Sequence, residues 1–250
     1  FGDFYSHELS FSLIDLNDHK NLINIFDKCN LSIKKIIIKS FVKGVFISEN
    51  YKNIENFFHI KLGKKNSKMF LFEKNSLKSE QKFKFGIDII IQDISKIISL
   101  DFETVEKILS ENKLNKSISE EELIEKKYFI NTVHRKIKKR LIYEIALARI
   151  QEISEKILFK NINYKNFDKI DKNIFIEIDH NLPLQCLKEI FETTFSFDSK
   201  INVSCSGSLP SDEMLSAANR LVHFGWKKEA IPISHYKKSL IAKFFDAIFG

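Results

Sequence analysis

The stretch Phe57–Phe72, with the sequence FFHIKLGKKNSKMFLF, decides the fold that we predict for this chain. Two short apolar runs, Phe57–Leu62 and Met69–Phe72, flank a polar turn over Gly63–Asn66. Runs of this length on either side of a Gly-containing turn are typical of a β-hairpin. We therefore predict two antiparallel strands that are joined at residues 63–66.

The chain after the hairpin alternates between strand and helix patterns. Isoleucines recur on one helical stripe after Gly86, and Asp101 is placed to cap the next helix. Strands and helices mixed in this order indicate an α/β fold, with a mixed sheet and flanking helices. The predicted helices are 86–98, 102–110, 130–158 with a break near 138–140, 184–194 and 211–224, and the predicted strands are 81–85, 174–178 and 201–204.

The residues before the hairpin form a smaller unit in this interpretation. Residues 9–16 and 33–40 have strand patterns, and residues 18–29 have apolar side chains on one face of a helix. Three consecutive isoleucines, residues 36–38, are predicted to be buried. Residues 49–56 are polar and are predicted to form a connection.

The composition limits the classes of protein to which the chain can belong. Of its 250 residues, 44% are hydrophobic, which excludes a disordered chain. No apolar run approaches the ~20 residues that a membrane span needs. The formal net charge of +7 suits an acidic partner, such as a membrane leaflet, a nucleic acid or an acidic peptide. No cysteine or histidine cluster has the spacing of a metal site.

The last fourteen residues, 237–250, have the pattern of an amphipathic helix that lies on a membrane surface. Large apolar side chains share one helical face, and lysines lie on the other. Such a helix anchors a protein weakly and reversibly. The alternative is that residues 237–250 form a helix that packs on the protein's own core. The predicted membrane-binding residues are Leu240, Ile241, Phe244, Phe245, Ile248 and Phe249, with Lys238 and Lys243.

The order of these features resembles the C-terminal portion of the bacterial actin-like cell-division proteins, the FtsA family. A helix ends in the turn Cys29-Asn30-Leu31, and the hairpin region 60–77 is similar to the family's second phosphate hairpin. Residues 144–153 carry a Glu followed by Arg-x-x-Glu, as one family helix does. Residues 221–225, Leu-Val-His-Phe-Gly, are similar to the end of the family's closing helix, after which an amphipathic helix follows.

The resemblance implies a fold and a division of the chain. The expected fold is the actin-like, ribonuclease-H-like half, preceded by the end of a small α+β subdomain. Residues 1–40 would end that inserted, SHS2-like subdomain, and residues 41–225 would form actin-like domain II. Residues 226–236 would be a tether, and residues 237–250 the amphipathic membrane-binding helix.

The resemblance also implies a function. The family tethers the ring of the tubulin-like protein FtsZ to the inner face of the cytoplasmic membrane and serves as a scaffold for division proteins. The expected partners are the acidic FtsZ C-terminal tail and an anionic membrane surface, and self-association into filaments is compatible with the family. The FtsZ tail would meet Arg149 and Glu152, with Arg140 in the basic cluster nearby. The protein would therefore be cytoplasmic and peripheral on the membrane.

The hairpin departs from the family where the nucleotide would bind. The family needs an Asp to organise Mg²⁺ and glycines to cradle phosphates. The metal-organising Asp is replaced by Lys61, and Asp179-His180 occupy the later Gly-Gly turn. We therefore expect no enzymatic activity, no catalytic or metal-ligating residue, and no cofactor beyond weak ATP binding. The degenerate nucleotide hairpin comprises Lys61, Gly63, Lys64, Lys65 and Asn66.

Two other functions are compatible with parts of the sequence. An actin-like pilus-assembly component would share the fold. A basic nucleic-acid-binding module would account for the charge, but aromatic residues are not interleaved with the basic patches as stacking platforms would be. We therefore expect no nucleic-acid partner, and binding of an FtsZ tail peptide separates these alternatives.

Overall fold

The predicted hairpin lies at the centre of a five-stranded sheet in the computed structural model. Strands β1 (Phe57–Leu62), β2 (Ser67–Glu73) and β3 (Ser76–Phe83) form an antiparallel meander, and β4 (Asn173–Ile178) and β5 (Asn202–Gly207) run parallel to β1. The strand order is β3-β2-β1-β4-β5. The predicted α/β fold with a mixed sheet is confirmed. The structure describes residues 13–51, 54–74, 76–129, 133–161, 173–178, 185–196, 201–207 and 210–224.

Most of the helices lie close to their predicted positions. Asp101 caps α4 as expected, because its side chain accepts a hydrogen bond of 2.9 Å from the Thr104 N–H. The helix predicted over 130–158 begins only at Lys139 and ends in a π-helical turn, Glu155–Phe159. The helices are α1 (Leu16–Lys28), α2 (Lys39–Asn50), α3 (Asp88–Ile98), α4 (Phe102–Glu111), α5 (Lys139–Ser154), α6 (Gln185–Phe195) and α7 (Ser211–Phe224), with a 3₁₀ turn at Lys126–Tyr128.

The alternation of side chains along the strands creates two faces on the sheet. Phe58, Ile60 and Leu62 of β1 lie in the larger core, which contains buried residues of α3, α4, α5 and α6. The opposite face includes Phe57 and Phe72 and packs against α2 and α7. Both faces of the sheet are therefore covered by helices.

Helix α2 approaches the sheet closely at Gly44. A Cβ atom on Gly44 would lie 2.1 Å from the Phe72 ring, so only glycine fits between the helix and this ring. This contact places the middle of α2 against the part of β2 that pairs with the start of β1.

The turn of the hairpin is held by the start of α3. The Ile87 N–H donates to the Gly63 carbonyl at 3.0 Å, and the Asp88 N–H donates to the Lys64 carbonyl at 2.9 Å. A Cβ atom on Gly86 would lie 2.3 Å from the same Gly63 oxygen. Gly86 therefore allows the start of α3 to come close enough for its N–H groups to bind the carbonyl groups of the turn.

The strand predicted at 33–40 was wrong, and the described residues of the strand predicted at 9–16 are not in a strand either. Leu13–Asp15 are not in a strand, and Leu16 begins α1, because the Asp15 carboxylate accepts a hydrogen bond of 2.8 Å from the Asn17 N–H and caps the helix. Residues 31–38 are irregular, and Ile36 and Ile38 are 45% and 40% exposed rather than buried. In the described part of the chain no strand pairs with them, so their high β-propensity has no sheet to join.

The polar connection predicted over residues 49–56 begins inside α2, which ends at Asn50 and was not predicted. Residues 1–12, the Asp179-His180 dipeptide, the tether at 226–236 and the terminal segment at 237–250 lie outside the described residues. Within the part of the chain that is described, no helix is long and apolar enough to cross a membrane.

Candidate functional site

A basic pocket of about 420 Å³ lies where the hairpin turn meets the first turn of α2. We call it the lysine pocket. Its lining comes from α2 with its N-cap residue, from β1, β2 and β3, and from the turn. It brings together residues that are up to 42 positions apart in the sequence, since Ile38 and Glu80 both line it. Six lysines line the pocket: Lys39, Lys43, Lys61, Lys64, Lys65 and Lys68.

Three of these lysines are paired with carboxylates. Lys68 Nζ lies 2.9 Å from Glu80 Oε1, and Lys64 Nζ lies 3.5 Å from Glu106 Oε1. Lys43 pairs with Glu177 in the interior. No ion pair joins Lys39, Lys61 or Lys65 to a carboxylate of the described residues, so these three leave the pocket with uncompensated positive charge.

A buried cluster of Lys43, His59 and Glu177 forms the floor beside the pocket. The Lys43 ammonium contacts Glu177 Oε2, and His59 Nε2 lies 3.1 Å from the same oxygen. All three residues are at most 4% exposed. Burial disfavours the charged carboxylate, but the hydrogen bonds from His59 and Lys43 outweigh it and lower the pKa of Glu177 to about 2.

The same burial acts on the two cationic groups. Desolvation lowers the pKa of Lys43, and it lowers the pKa of His59, although Glu177 opposes both shifts. A neutral His59 donates from Nε2 to Glu177, which leaves Nδ1 as an acceptor. His59 Nδ1 and Glu177 Oε1 are buried without a hydrogen-bond partner among the described residues. An unpaired buried polar atom is costly, and it marks a place where a donor would be stabilised.

The first turn of α2 adds to the positive potential. Its N-cap residue, Ile38, has no side chain that can accept a hydrogen bond, and the first turn contains no acidic residue. The positive end of the helix dipole therefore lies at the pocket, whose lining includes Ile38, Lys39 and Ser40.

The residues of the lysine pocket do not fit a magnesium ion. Mg²⁺ needs carboxylate or carbonyl oxygens, and the organising position is occupied by Lys61. The nearby carboxylates of Glu80 and Glu177 are paired with lysines. In the described ranges no group of three or more His, Cys, Asp or Glu side chains is arranged to hold a metal ion.

The predicted partner residues Arg149 and Glu152 lie together on α5, in a shallow groove of about 370 Å³ between α3 and α5. The Arg149 guanidinium contacts the carboxylates of Asp93 and Glu152. Its side chain is 24% exposed, so one side of the guanidinium still faces solvent. The groove also exposes an apolar side chain, Ile97, which is 58% exposed.

Arg140 does not line this groove. Its Nε donates to Glu144 at 2.9 Å, its Nη1 donates to the Lys116 carbonyl at 3.0 Å, and its guanidinium stacks on Tyr143. Glu144 does line the groove, so Arg140 is connected to it through one carboxylate. The structure therefore groups Arg149 with Glu152 and places Arg140 beside them.

The residues of the lysine pocket and its floor that sequence reasoning missed include Lys39, Lys43, Lys68, His59 and Glu177. A signal was present for two of them. Lys43 interrupts the apolar run 41–45, and Glu177 interrupts the apolar run 174–178. A charge inside an apolar run predicts a buried charge that needs a partner.

No protein-family model matches the sequence, and no curated protein matches it. Solved structures do match. The ADP-bound structure of MreB5 from Spiroplasma citri has a TM-score of 0.55 at 12% identity, and it covers 86% of this chain and 68% of MreB5. The AMPPNP-bound structure has a TM-score of 0.51 at 15% identity and covers 86% of this chain and 67% of MreB5.

Two further proteins match with TM-scores of 0.47. They are the ethanolamine utilization protein EutJ from Carboxydothermus hydrogenoformans, at 11% identity, and a PilM-PilN type IV pilus biogenesis complex, at 10% identity. The matches cover 77% of this chain and 57% of EutJ, and 86% of this chain and 58% of the pilus protein. The likeness to MreB5 shows that the chain has the actin-like fold. The sequence identities are too low to show a family.

Proposed function

We propose that this chain belongs to a non-hydrolytic actin-like scaffold that tethers FtsZ to the inner face of the cytoplasmic membrane. The observation that carries the proposal is the hairpin of an actin-like fold in which Lys61 replaces the metal-organising carboxylate. A fold that keeps its helices and sheet but lacks the residues for Mg²⁺ retains surfaces for partners and loses the means of hydrolysis.

The groove between α3 and α5 is the proposed site for the FtsZ tail. Arg149 presents a planar guanidinium that binds carboxylates in a bidentate manner. A tail carboxylate would replace the contact with Asp93 or Glu152, and Ile97 offers an apolar contact beside it. Because Arg149 is already paired, we expect modest affinity for one tail, and tight attachment only when several copies act together.

The terminal residues 237–250 supply the proposed membrane attachment. Their apolar face and their lysines suit an anionic interface, where each basic residue adds ~1 kcal/mol. Self-association into filaments is part of the same proposal, since weak anchors on one polymer bind a surface far more tightly than a single copy.

Binding of a fluorescently labelled FtsZ C-terminal tail peptide, followed by anisotropy, tests this function. We expect saturable binding that Arg149→Met weakens at least tenfold and Arg149→Lys weakens less. Arg220→Met is the matched control, because Arg220 is also paired with a carboxylate, Glu49, at 2.6 Å, but on α7. Absence of saturable binding, or equal losses in Arg149→Met and Arg220→Met, would contradict the proposal. Circular dichroism shows whether each variant is folded.

A further inference from the structure

We propose that the terminal segment, residues 237–250, docks into an open groove between α5 and α6 of its own chain. The groove has a volume of about 830 Å³ and shares no lining residue with the lysine pocket or with the groove at Arg149. We call it the α5–α6 groove. Together with the proposed membrane attachment, on which this part rests, the docking makes the groove and a membrane compete for one apolar helix face.

The α5–α6 groove has the length and the lining of a helix-binding site. One wall is a stripe of side chains on α5 and its π-helical turn, spaced by three to five residues, and the other wall is α6. The stripe runs from Tyr143 to Phe159 and is about 24 Å long, and fourteen residues in a helix span about 21 Å. Leu147 and Ile190 add to the apolar lining. A groove of this kind accepts the apolar face of an amphipathic helix.

Groups in the lining still lack partners among the described residues. Leu147 and Phe159 pack against the core but remain partly exposed. The Thr194 hydroxyl is buried without a hydrogen-bond partner, and Glu189 forms no ion pair with a described residue. The terminal segment has a serine and lysines as well as its apolar residues, so it offers a partner to each kind of group.

The end of α7 lies at the same end of the sheet as one end of the groove. Arg220, near the end of α7, pairs at 2.6 Å with Glu49, near the end of α2, and β1 follows α2 along the chain. Phe159 and Thr194 precede β4 and β5, which run parallel to β1, so this end of the groove also lies where the strands begin.

The tether is long enough to reach from α7 to the groove. α7 packs on one face of the sheet and α5 and α6 on the other, so the path crosses two layers of about 10 Å each. The twelve residues 225–236 span up to about 40 Å when extended. The segment would therefore enter the groove beside Phe159 and run antiparallel to α5.

A weak contact is sufficient for this docking, because the two partners belong to one chain. A short tether gives an effective concentration of about 1 mM. A contact with a Kd of about 0.2 mM would then be closed in about five of six molecules. The apparent affinity for a membrane would be lowered by the factor by which the open fraction is lowered.

Hydrogen–deuterium exchange of the full chain without lipid tests the docking. We expect amides of residues 240–249 to exchange at least fivefold more slowly than in a synthetic peptide of residues 237–250. Thr193→Arg places a large charged side chain in the groove from an exposed position on α6, and we expect it to restore the rates of the peptide.

Ser110→Arg is the matched control. Both hydroxyls donate at 2.8 Å to a carbonyl of their own helix, Ser110 to Lys107 and Thr193 to Glu189, and both positions are exposed. Both variants add the same charge, but Ser110 lies on α4 and does not line the groove. We expect slow exchange to be kept in Ser110→Arg.

Three results would overturn the docking: exchange as fast as in the peptide, slow exchange that persists in Thr193→Arg, or slow exchange that is lost on dilution, which would show docking onto a second copy. Co-sedimentation with anionic liposomes then tests the competition. We expect Thr193→Arg, but not Ser110→Arg, to bind at least fivefold more tightly than the unchanged chain. Slow exchange lost in Thr193→Arg without liposome binding by any variant would support the docking and contradict the membrane attachment, so the two proposals fail separately.

Discussion

Lys61 of β1 and Glu177 of β4 are direct neighbours in the parallel register, yet the Glu177 carboxylate lies against Lys43 and His59. Neighbours in register point to the same face of a sheet, so a carboxylate does lie beside the position where the actin-like hairpin needs one. The Glu177 carboxylate is already paired with Lys43 of α2 and His59 of β1. Because this carboxylate is paired, the lysine pocket remains positively charged although Glu177 is close by.

The buried pair of Lys43 and Glu177 is expected to be important for stability. Lys43→Met would leave Glu177 charged in the interior with only His59 as partner, and we expect a loss of about 3 kcal/mol in the free energy of unfolding. Urea unfolding measures the loss. The double variant Lys43→Met/Glu177→Gln removes both charges, and we expect it to recover at least half of the loss.

The control for this pair is Lys96→Met, which removes an exposed lysine and should change the free energy of unfolding by less than about 0.5 kcal/mol. An equal, small effect of Lys43→Met and Lys96→Met would show that the buried pair contributes nothing.

Stability should fall with acid in two steps. Because burial lowers the pKa of His59 below its ordinary 6.5, the unfolded chain binds the proton more readily, and stability is lost as pH falls below about 6.5. The pKa of Glu177 is lowered from 4.5 to about 2, so a second loss of stability occurs as the pH falls from about 4.5 to about 2. His59→Gln should flatten the dependence between pH 8 and 5, as measured by urea unfolding, and His134→Gln, which changes an exposed ring, should not. The same slope in both variants would contradict the role given to His59.

Gly86 should tolerate no side chain. In Gly86→Ala the Cβ atom would meet the Gly63 and Lys64 carbonyl oxygens at 2.3 and 2.4 Å, so the turn or α3 must shift. We expect the free energy of unfolding to fall by at least ~2 kcal/mol, as measured by thermal unfolding. Gly207→Ala is the matched control, because no atom lies within 4 Å of its added Cβ. Similar stabilities of the two variants would show that the turn is not held by α3.

The chain should not hydrolyse ATP. With Lys61 at the organising position and the nearby carboxylates paired, we expect phosphate release in the presence of Mg²⁺ and ATP to equal the uncatalysed background in a malachite-green assay. Release that depends on Mg²⁺ and is lost in Lys61→Met would contradict the absence of an enzymatic function.

The hairpin and the helices after it could be predicted because their signals are local. Apolar periodicity located α3, the cap residue Asp101 located α4, and the turn residues located the joint between β1 and β2. The strand predicted at residues 33–40 failed because three isoleucines specify a strand only where a partner strand exists. α2 was missed because its apolar face is interrupted by Lys43 and Gly44, whose roles appear only when the helix meets Phe72 and Glu177.

The sequence predicted those residues of the candidate sites that are close together along the chain. Arg149 and Glu152 share one groove because the i, i+3 spacing on a helix brings them together. The lysine pocket could be predicted only in Lys61 and the turn residues, since Lys39 and Lys43 join it through packing between distant segments. The charge of a pocket of this kind depends on which carboxylates are already paired, and that is a property of tertiary structure.

The most direct test of the proposed tether is recruitment of the FtsZ tail peptide to liposomes. Labelled peptide, anionic liposomes and the intact chain are sedimented together, beside a chain that ends at Tyr236 and beside the Arg149→Met variant. We predict that the peptide pellets with the liposomes only when the intact chain with Arg149 is present. Peptide that stays in the supernatant although the chain pellets, or a chain ending at Tyr236 that recruits the peptide equally well, would contradict the account.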